Sequence, residues 1–277
     1  HSTSKIQHAE DLSFISTLGF RGEALSSIAA VSKTELCSKT KGSLTGTIYK
    51  INGGTEESIE DAGLPDGTTI IVRDLFYNTP ARLKFLKSPQ TEAGYITDIV
   101  ERIALSHPDI SFKFTVNGQL RLATPGNSSL KDTIYAVFGR DITANLLEIN
   151  DIRDVMGVTG FIGKPEIARG NRNFEFYFVN GRYIKNSVIQ SALEEAYTGY
   201  QMKGTFPFVV LNITMEPELV DVNVHPSKME VRFYDNKAVF DCLNDIRNLK
   251  AAVDATNEIK KREGRGESQI ALSYTLG

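Results

Sequence analysis

Two cysteines in 277 residues, Cys37 and Cys242, are too few and too far apart for a disulfide framework, and they show no metal-ligand spacing. A reducing, cytoplasmic setting suits such a chain. No apolar run approaches the roughly 20 residues needed to cross a bilayer, so a soluble protein without a membrane partner is expected. The start, His1-Ser2-Thr3-Ser4-Lys5, has no basic stretch ahead of an apolar core and is not a secretory signal. It also lacks an initiator methionine, which fits a piece of a longer chain or a processed one. An excess of positive charge is missing too: 31 Lys and Arg face 34 Asp and Glu, a net charge of −3. A globally acidic chain does not advertise nucleic-acid binding, so any contact with DNA must come from a local basic patch.

What is present is an ordinary globular balance, with 41% hydrophobic and 23% charged residues over a length that suits two domains. The pattern predicts a helix over residues 23–30, strands over 44–51 and 68–73, and a helix over 91–105 with Ile96, Ile99, Val100 and Ile103 on one side. His107-Pro108 stops that helix, and a hairpin with Asn117-Gly118 at its tip follows. The turn-rich stretch Thr124–Ser129 is the best domain boundary. Beyond it we expect a helix over 130–138, strands near 155–162 and 174–179, and a helix from Ser187 to Tyr197 capped by Asn186. Strands over 207–214 and 220–233 (broken at Pro226) and a last helix over roughly 237–260 complete two α+β domains. Residues 261–277 read as a polar linker or tail.

Several strings carry chemistry. In Thr17-Leu18-Gly19-Phe20-Arg21-Gly22-Glu23-Ala24-Leu25, two glycines three apart lead into a helix, an arrangement that suits a triphosphate because backbone N–H groups and the positive dipole end face the ligand. The plain alternative is a helix start that happens to contain glycines. Ser2, Thr3 and Lys5 offer hydroxyls and an ammonium to phosphate, or are simply a solvated loop. Thr68 can hydrogen-bond a purine edge, or can be a β-branched residue in a strand. The Pro226 break puts Lys228 in a loop, where its ammonium can reach a ligand held elsewhere; His225, with no second ligand candidate beside it, reads as structural. Between Gly163 and Asn186, Lys164, Arg169, Arg172, Arg182 and Lys185 outnumber Glu166 and Glu175. That cluster can follow a phosphate backbone, or merely solubilise the surface.

Together these strings resemble the MutL family of DNA mismatch-repair proteins, members of the GHKL class of ATPases. H-S-T-S-K-I, T-L-G-F-R-G-E-A-L, D-L-F-Y-N-T-P-A-R, F-V-N-G-R and D-V-N-V-H-P-S-K-M-E-V-R-F occur in the family's order, and the resemblance runs from residue 1 to about 250. It implies a GHKL-type ATP-binding α/β sandwich ending near residue 126, then a ribosomal-protein-like β-α-β domain over 127–260 with a left-handed crossover. By the same match Ser2, Thr3 and Lys5 belong to the ATP lid, and Gly19, Phe20, Arg21 and Gly22 present N–H groups to the phosphates. Thr68 sits near the adenine and Lys228 reaches the γ-phosphate. Arg182 lies in a DNA-binding groove, with Lys185, Arg172 and Arg169 as neighbours. N-T-P-A-R and L-K-F-L-K are fingerprints without an assigned role.

The implied cofactors are ATP and Mg²⁺, and the implied partners are non-specific DNA, a mismatch sensor of the MutS type and a second copy of the protein. The implied function is an ATP-dependent switch that couples mismatch recognition to downstream nucleases. In one respect the chain departs from the family. The general-base Glu, the Mg²⁺-holding Asn and the Asp of the adenine motif belong upstream of the lid, and Asp61-Ala62-Gly63 comes in the wrong order to replace the last. The sandwich is therefore expected to be incomplete, and the chain by itself inactive as an ATPase. Two other readings are a non-catalytic DNA- or partner-binding module and a gyrase-type topoisomerase ATPase subunit.

Overall fold

A computed structural model describes residues 22–153, 156–221 and 230–244. The contacts divide the chain into two compact units, parting between Gly94 and Tyr95. The first contains α1 (Ala24–Ala29), β1 (Lys33–Lys39), β2 (Gly46–Asn52), β3 (Thr55–Ala62), β4 (Gly67–Arg73) and the single turn α2 (Pro80–Leu83). Its four strands form an antiparallel sheet in the order β3-β2-β1-β4. The register sets Ile59, Tyr49, Leu36 and Ile70 in one row, with Ile51, Thr34 and Val72 in the next. One face of the sheet is therefore apolar, and Ile59, Ile70 and Val72 on it are exposed. β2 and β4 lie where the periodicity puts them. β1 and β3 were not expected: K-T-E-L-C-S-K and T-E-E-S-I-E-D-A carry too few apolar residues to show a strand period, and pairing with neighbours decides their state.

α3 (Pro89–Ser106) begins before the division and its later turns belong to the second unit. Ala104 and Leu105 are buried there, whereas Ile96, Ile99 and Ile103 of the apolar stripe remain exposed. β5 (Lys113–Val116) and β6 (Gln119–Ala123) make the expected hairpin, with Asn117 and Gly118 both at positive φ at its tip. The Thr124–Ser129 stretch lies inside this second unit. Thr124 is buried, its hydroxyl accepts from the Phe112 amide at 2.9 Å, and the Ser111 hydroxyl donates to its carbonyl at 2.9 Å. Gly126, at φ 67°, passes so close to the Ile110–Ser111 backbone that a Cβ would collide with it. Turn residues here serve a packed corner, not a linker.

α4 (Leu130–Thr143) follows, capped by the Ser129 hydroxyl and broken at Gly139, after which one more turn continues past the expected end. β7 (Leu146–Ile152), β8 (Met156–Gly163), β9 (Glu175–Val179), β10 (Arg182–Ile184), α5 (Ser187–Ala196) and β11 (Val209–Met215) come next. The Asn186 side chain caps α5 as expected, accepting from the amides of Val188 and Ile189. The sheet order is β10-β9-β11-β8-β7, and β9 and β11 pair in parallel through the α5 crossover, giving the β-α-β unit. β12 (Val220–Asp221) and β13 (Arg232–Phe233) pair with each other ahead of α6 (Asn236–Asn244). The rest of the expected last helix and the 261–277 tail lie outside the described residues.

Both faces of the sheet are buried at its centre, so Phe176–Val179 of β9 and Val209–Leu211 of β11 read as continuous apolar runs. Tyr177, Val179, Leu211 and Ile213 face α5 and α6 through Ile189, Leu193, Val239 and Leu243. On the other face Phe176, Phe178, Phe208 and Val210 meet Ile134 and Ile142 of α4 and Leu105 of α3. No described helix is long and apolar enough to cross a membrane.

Candidate functional site

In the first unit the site is approached through α1. Gly22, at φ 65°, takes the left-handed conformation just ahead of the helix, a backbone turn that glycine makes without a Cβ penalty. Ser2, Thr3, Lys5, Gly19, Phe20 and Arg21 lie outside the described residues, as does Lys228. Thr68 stands exposed on β4, with its hydroxyl 2.9 Å from that of Ser38 across the β1–β4 pair.

The loop that leaves β4 makes the densest set of polar contacts near α1. Within D-L-F-Y-N-T-P, Asp74 and Phe76 both adopt positive φ, 54° and 67°, rare for residues with a Cβ and rarest for a bulky one. The Phe76 amide donates to the Val31 carbonyl at 2.7 Å, and the Asn78 amide group donates to the Ala30 carbonyl at 3.0 Å. The Tyr77 hydroxyl donates to the Asn52 side-chain carbonyl. Lys33 lies 2.9 Å from the Asp74 carboxylate and 5.5 Å from the centre of the Tyr77 ring. The hydrogen bond to Asp74 holds the Lys33 ammonium above its ordinary range. Gly53 and Gly54 at the β2–β3 turn complete the set, donating to the carbonyls of Ser32 and Ala29 at 3.0 Å each. Two chain segments thus close on the end of α1 and the residues that lead into β1. Sequence reasoning left this string without a role because its partners lie 25 and 48 residues away.

In the second unit the F-V-N-G-R string is a two-residue hairpin between β9 and β10, with Asn180 and Gly181 at φ 48° and 76°. Asn180 is tied to β11: its amide donates to the Met215 carbonyl at 2.9 Å, and its carbonyl accepts from the Met215 amide at 3.1 Å. Alternation along β10 separates two expected DNA-binding residues. Arg182 shares a face with the buried Ile184, whereas Lys185 joins Tyr183 on the opposite face, at a pocket of about 300 Å³ lined also by Arg102, Arg172, Asp98 and Glu101. Arg182 is half-buried, and loss of water lowers its pKa.

Arg172 is held by Glu194 on α5, Nε to Oε1 at 2.6 Å and Nη2 to Oε2 at 3.1 Å, with its guanidinium 4.3 Å from the Phe206 ring centre. Arg169 is exposed and lies 5.3 Å from the ring of Phe174. The expected basic cluster is therefore brought together only in part: Arg172 and Lys185 share a pocket that also holds two carboxylates, and the Arg172 charge is offset by Glu194. Sequence spacing does not reveal Arg102, whose guanidinium stacks 4.8 Å from the Tyr183 ring, because it comes from a distant helix.

Glu175, next to this cluster, is buried on β9. Its Oε2 accepts from the Tyr177 hydroxyl at 3.0 Å, while its Oε1 has no hydrogen-bond partner among the described residues. Burial pushes the carboxyl up to about 7, and Glu194 nearby adds to the rise. Among the described residues no three His, Cys, Asp or Glu side chains converge to hold a metal ion. Both cysteines are free thiols.

The family model for the C-terminal domain of DNA mismatch repair proteins matches residues 134–250, a range that holds all of the five-stranded sheet. The chain is 58% identical over 240 residues to the DNA mismatch repair protein MutL of Agathobacter rectalis, an alignment covering 87% of this chain and 37% of that protein. It is 47% identical over 270 residues to the MutL of Clostridium acetobutylicum, covering 96% and 43% respectively. The chain thus spans about two-fifths of the length of these relatives. Among solved structures, the N-terminal domain of a DNA repair protein has a TM-score of 0.71 and 27% identity, over 89% of this chain and 78% of that one. The Aquifex aeolicus MutL ATPase domain complexed with ADP has a TM-score of 0.60 and 25% identity, over 86% and 81%. The α+β layout is accordingly the GHKL type that the motifs imply. Shared sequence along most of the chain, in a shared fold, makes this protein a member of the MutL family of DNA mismatch-repair proteins.

Proposed function

We propose that this chain is part of an ATP-driven conformational switch in DNA mismatch repair, in which nucleotide binding at the first unit is transmitted through the second to DNA and partner proteins. The observation that carries this reading is the likeness to a MutL ATPase domain that holds ADP, along with the family strings in order. Gly22 fits a phosphate-facing turn, since it adopts a left-handed backbone and has no Cβ to hinder a close approach. Mg²⁺ would be held by residues beyond the described ones. In this proposal Gly19 to Gly22 face the phosphates, Ser2, Thr3 and Lys5 close over them, Thr68 lies near the base, and Lys228 meets the γ-phosphate. ATP then favours a self-dimer that embraces DNA and answers to a MutS-type mismatch sensor, in the cytoplasm.

The experiment is steady-state ATP hydrolysis by the complete gene product, with Lys228→Ala beside the wild type. An ammonium that meets only the γ-phosphate matters most where charge builds in phosphoryl transfer, so kcat should fall roughly 10- to 1000-fold while ADP affinity changes little. Equal weakening of ADP and ATP with unchanged kcat would make Lys228 a structural residue. Absence of nucleotide binding by the wild type would refute the switch itself.

A further inference from the structure

We infer that the Asp74–Thr79 loop positions Gly22, ahead of α1, by fastening the far end of that helix to the sheet, which gives D-L-F-Y-N-T-P a role in nucleotide affinity. The inference rests on the nucleotide reading above and adds to it residues that would touch no part of the nucleotide. α1 is only six residues long and no side chain caps its start, so its own hydrogen bonds are too few to fix its position. Its C-terminal end is fixed from outside. Ala29, Ala30, Val31 and Ser32 each present a carbonyl, and these four accept from Gly54, Asn78, Phe76 and Gly53 respectively. Two of the donors come from the β4 exit loop and two from the β2–β3 turn.

The two donor segments are joined by the Tyr77 hydroxyl on Asn52, so neither can move off α1 without disturbing the other. A Cβ on Gly53 would fall 2.7 Å from the Tyr77 hydroxyl and 3.0 Å from the Asn78 amide nitrogen, so a side chain there would push both groups off their partners. Left-handed backbone at Asp74 and Phe76 turns the loop toward α1, a costly conformation that persists only where surrounding contacts enforce it. Gly22 lies two residues ahead of α1, so where α1 sits sets where the Gly22 amide points.

A protein whose binding-competent arrangement is populated for only a fraction of the time binds its ligand more weakly by that fraction. Saturating ligand restores the competent form, so the turnover of the bound state is unaffected. Tyr77→Phe/Asn78→Ala in the complete gene product removes two neutral hydrogen bonds, each about a fivefold effect on the fastening equilibrium. The expected result is a KM for ATP raised about five- to twentyfold with kcat within about twofold of wild type. A merely structural loop would lower the melting temperature and the active fraction, reducing apparent kcat and leaving KM in place, and that outcome overturns the inference.

Amide exchange supplies a second reading on the wild-type protein, should the double variant fail to fold. Because coupling is reciprocal, ADP must strengthen the fastening that favours its own binding. Exchange of the Phe76 and Gly54 amides should therefore slow several-fold at saturating ADP, and an unchanged rate at both overturns the inference. Nucleotide binding by the wild type with no KM or exchange effect separates failure of this inference from failure of the ATP reading, in which the wild type binds no nucleotide.

Discussion

Among the described carboxyl groups Glu175 is the one whose ionisation the fold resists most, and replacing it with glutamine measures that resistance. The carboxyl is buried, has one hydrogen-bonded oxygen and one without a partner among the described residues, and is pushed from 4.5 to about 7 mainly by loss of water. A rise of this size corresponds to about 3 kcal/mol, at about 1.36 kcal/mol per pH unit. In the unfolded chain the group ionises near 4.5, and in the folded chain near 7. The stabilisation associated with the protonated form is thus fully present below pH 4.5, shrinks as the pH rises, and is gone above about 7. Glutamine keeps an acceptor for the Tyr177 hydroxyl and never ionises. Relative to Glu175→Gln, the wild type should lose about 2.5 kcal/mol between pH 5 and pH 8, or about 5–10 °C in melting temperature for a unit of this size. Thermal melts of both proteins across that range, followed by circular dichroism, read the difference directly. A wild-type-minus-variant difference that stays flat with pH would refute the burial reasoning.

Two further outcomes test the fold and the DNA-facing surface. Gly160, at φ 134° in the middle of β8, faces the Val210 carbonyl so closely that a Cβ cannot be accommodated without moving the β8–β11 pair; Gly160→Ala should cost about 3 kcal/mol or more, read from urea unfolding midpoints, and a loss under about 1 kcal/mol would show that the strand yields easily. If the exposed Lys185 contacts a phosphate, Lys185→Glu should flatten the salt dependence of DNA binding by about one unit. Arg172→Glu, whose parent guanidinium is already held by Glu194, should change that slope by much less, and equal slopes lost in both titrations would contradict the assignment of Arg172 to an internal pair.

Much of the second unit can be read from sequence because burial on both faces leaves a loud signal. F-Y-F-V is a continuous apolar run and V-V-L-N-I-T-M opens on one before alternating, and Asn186 and Asn117-Gly118 mark a helix start and a hairpin by their own chemistry. The first unit is harder. β1 is a central strand with lysines at both ends and one leucine in the middle, so only its partners on either side make it a strand. The site is least legible of all. Charge counting gathers Arg172, Arg182 and Lys185 into one patch, but a strand's pleat and the approach of Glu194, 22 residues from Arg172, redistribute them. The Tyr77 and Asn78 contacts span comparable sequence distances, and no local pattern encodes which carbonyl a side chain will meet.

The first unit's sheet has two outer strands of unlike character. β3 carries four carboxylates in eight residues, a negative fringe that repels any like strand drawing alongside. β4 on the far side is T-T-I-I-V at its centre, and among the described residues nothing pairs with its outer side. Short uncharged runs of this composition are the ones that template fibrous self-association. Residues 68–72 are thus the stretch of this sheet whose composition best suits fibrous self-association, and Ile70→Lys would place a gatekeeper in it.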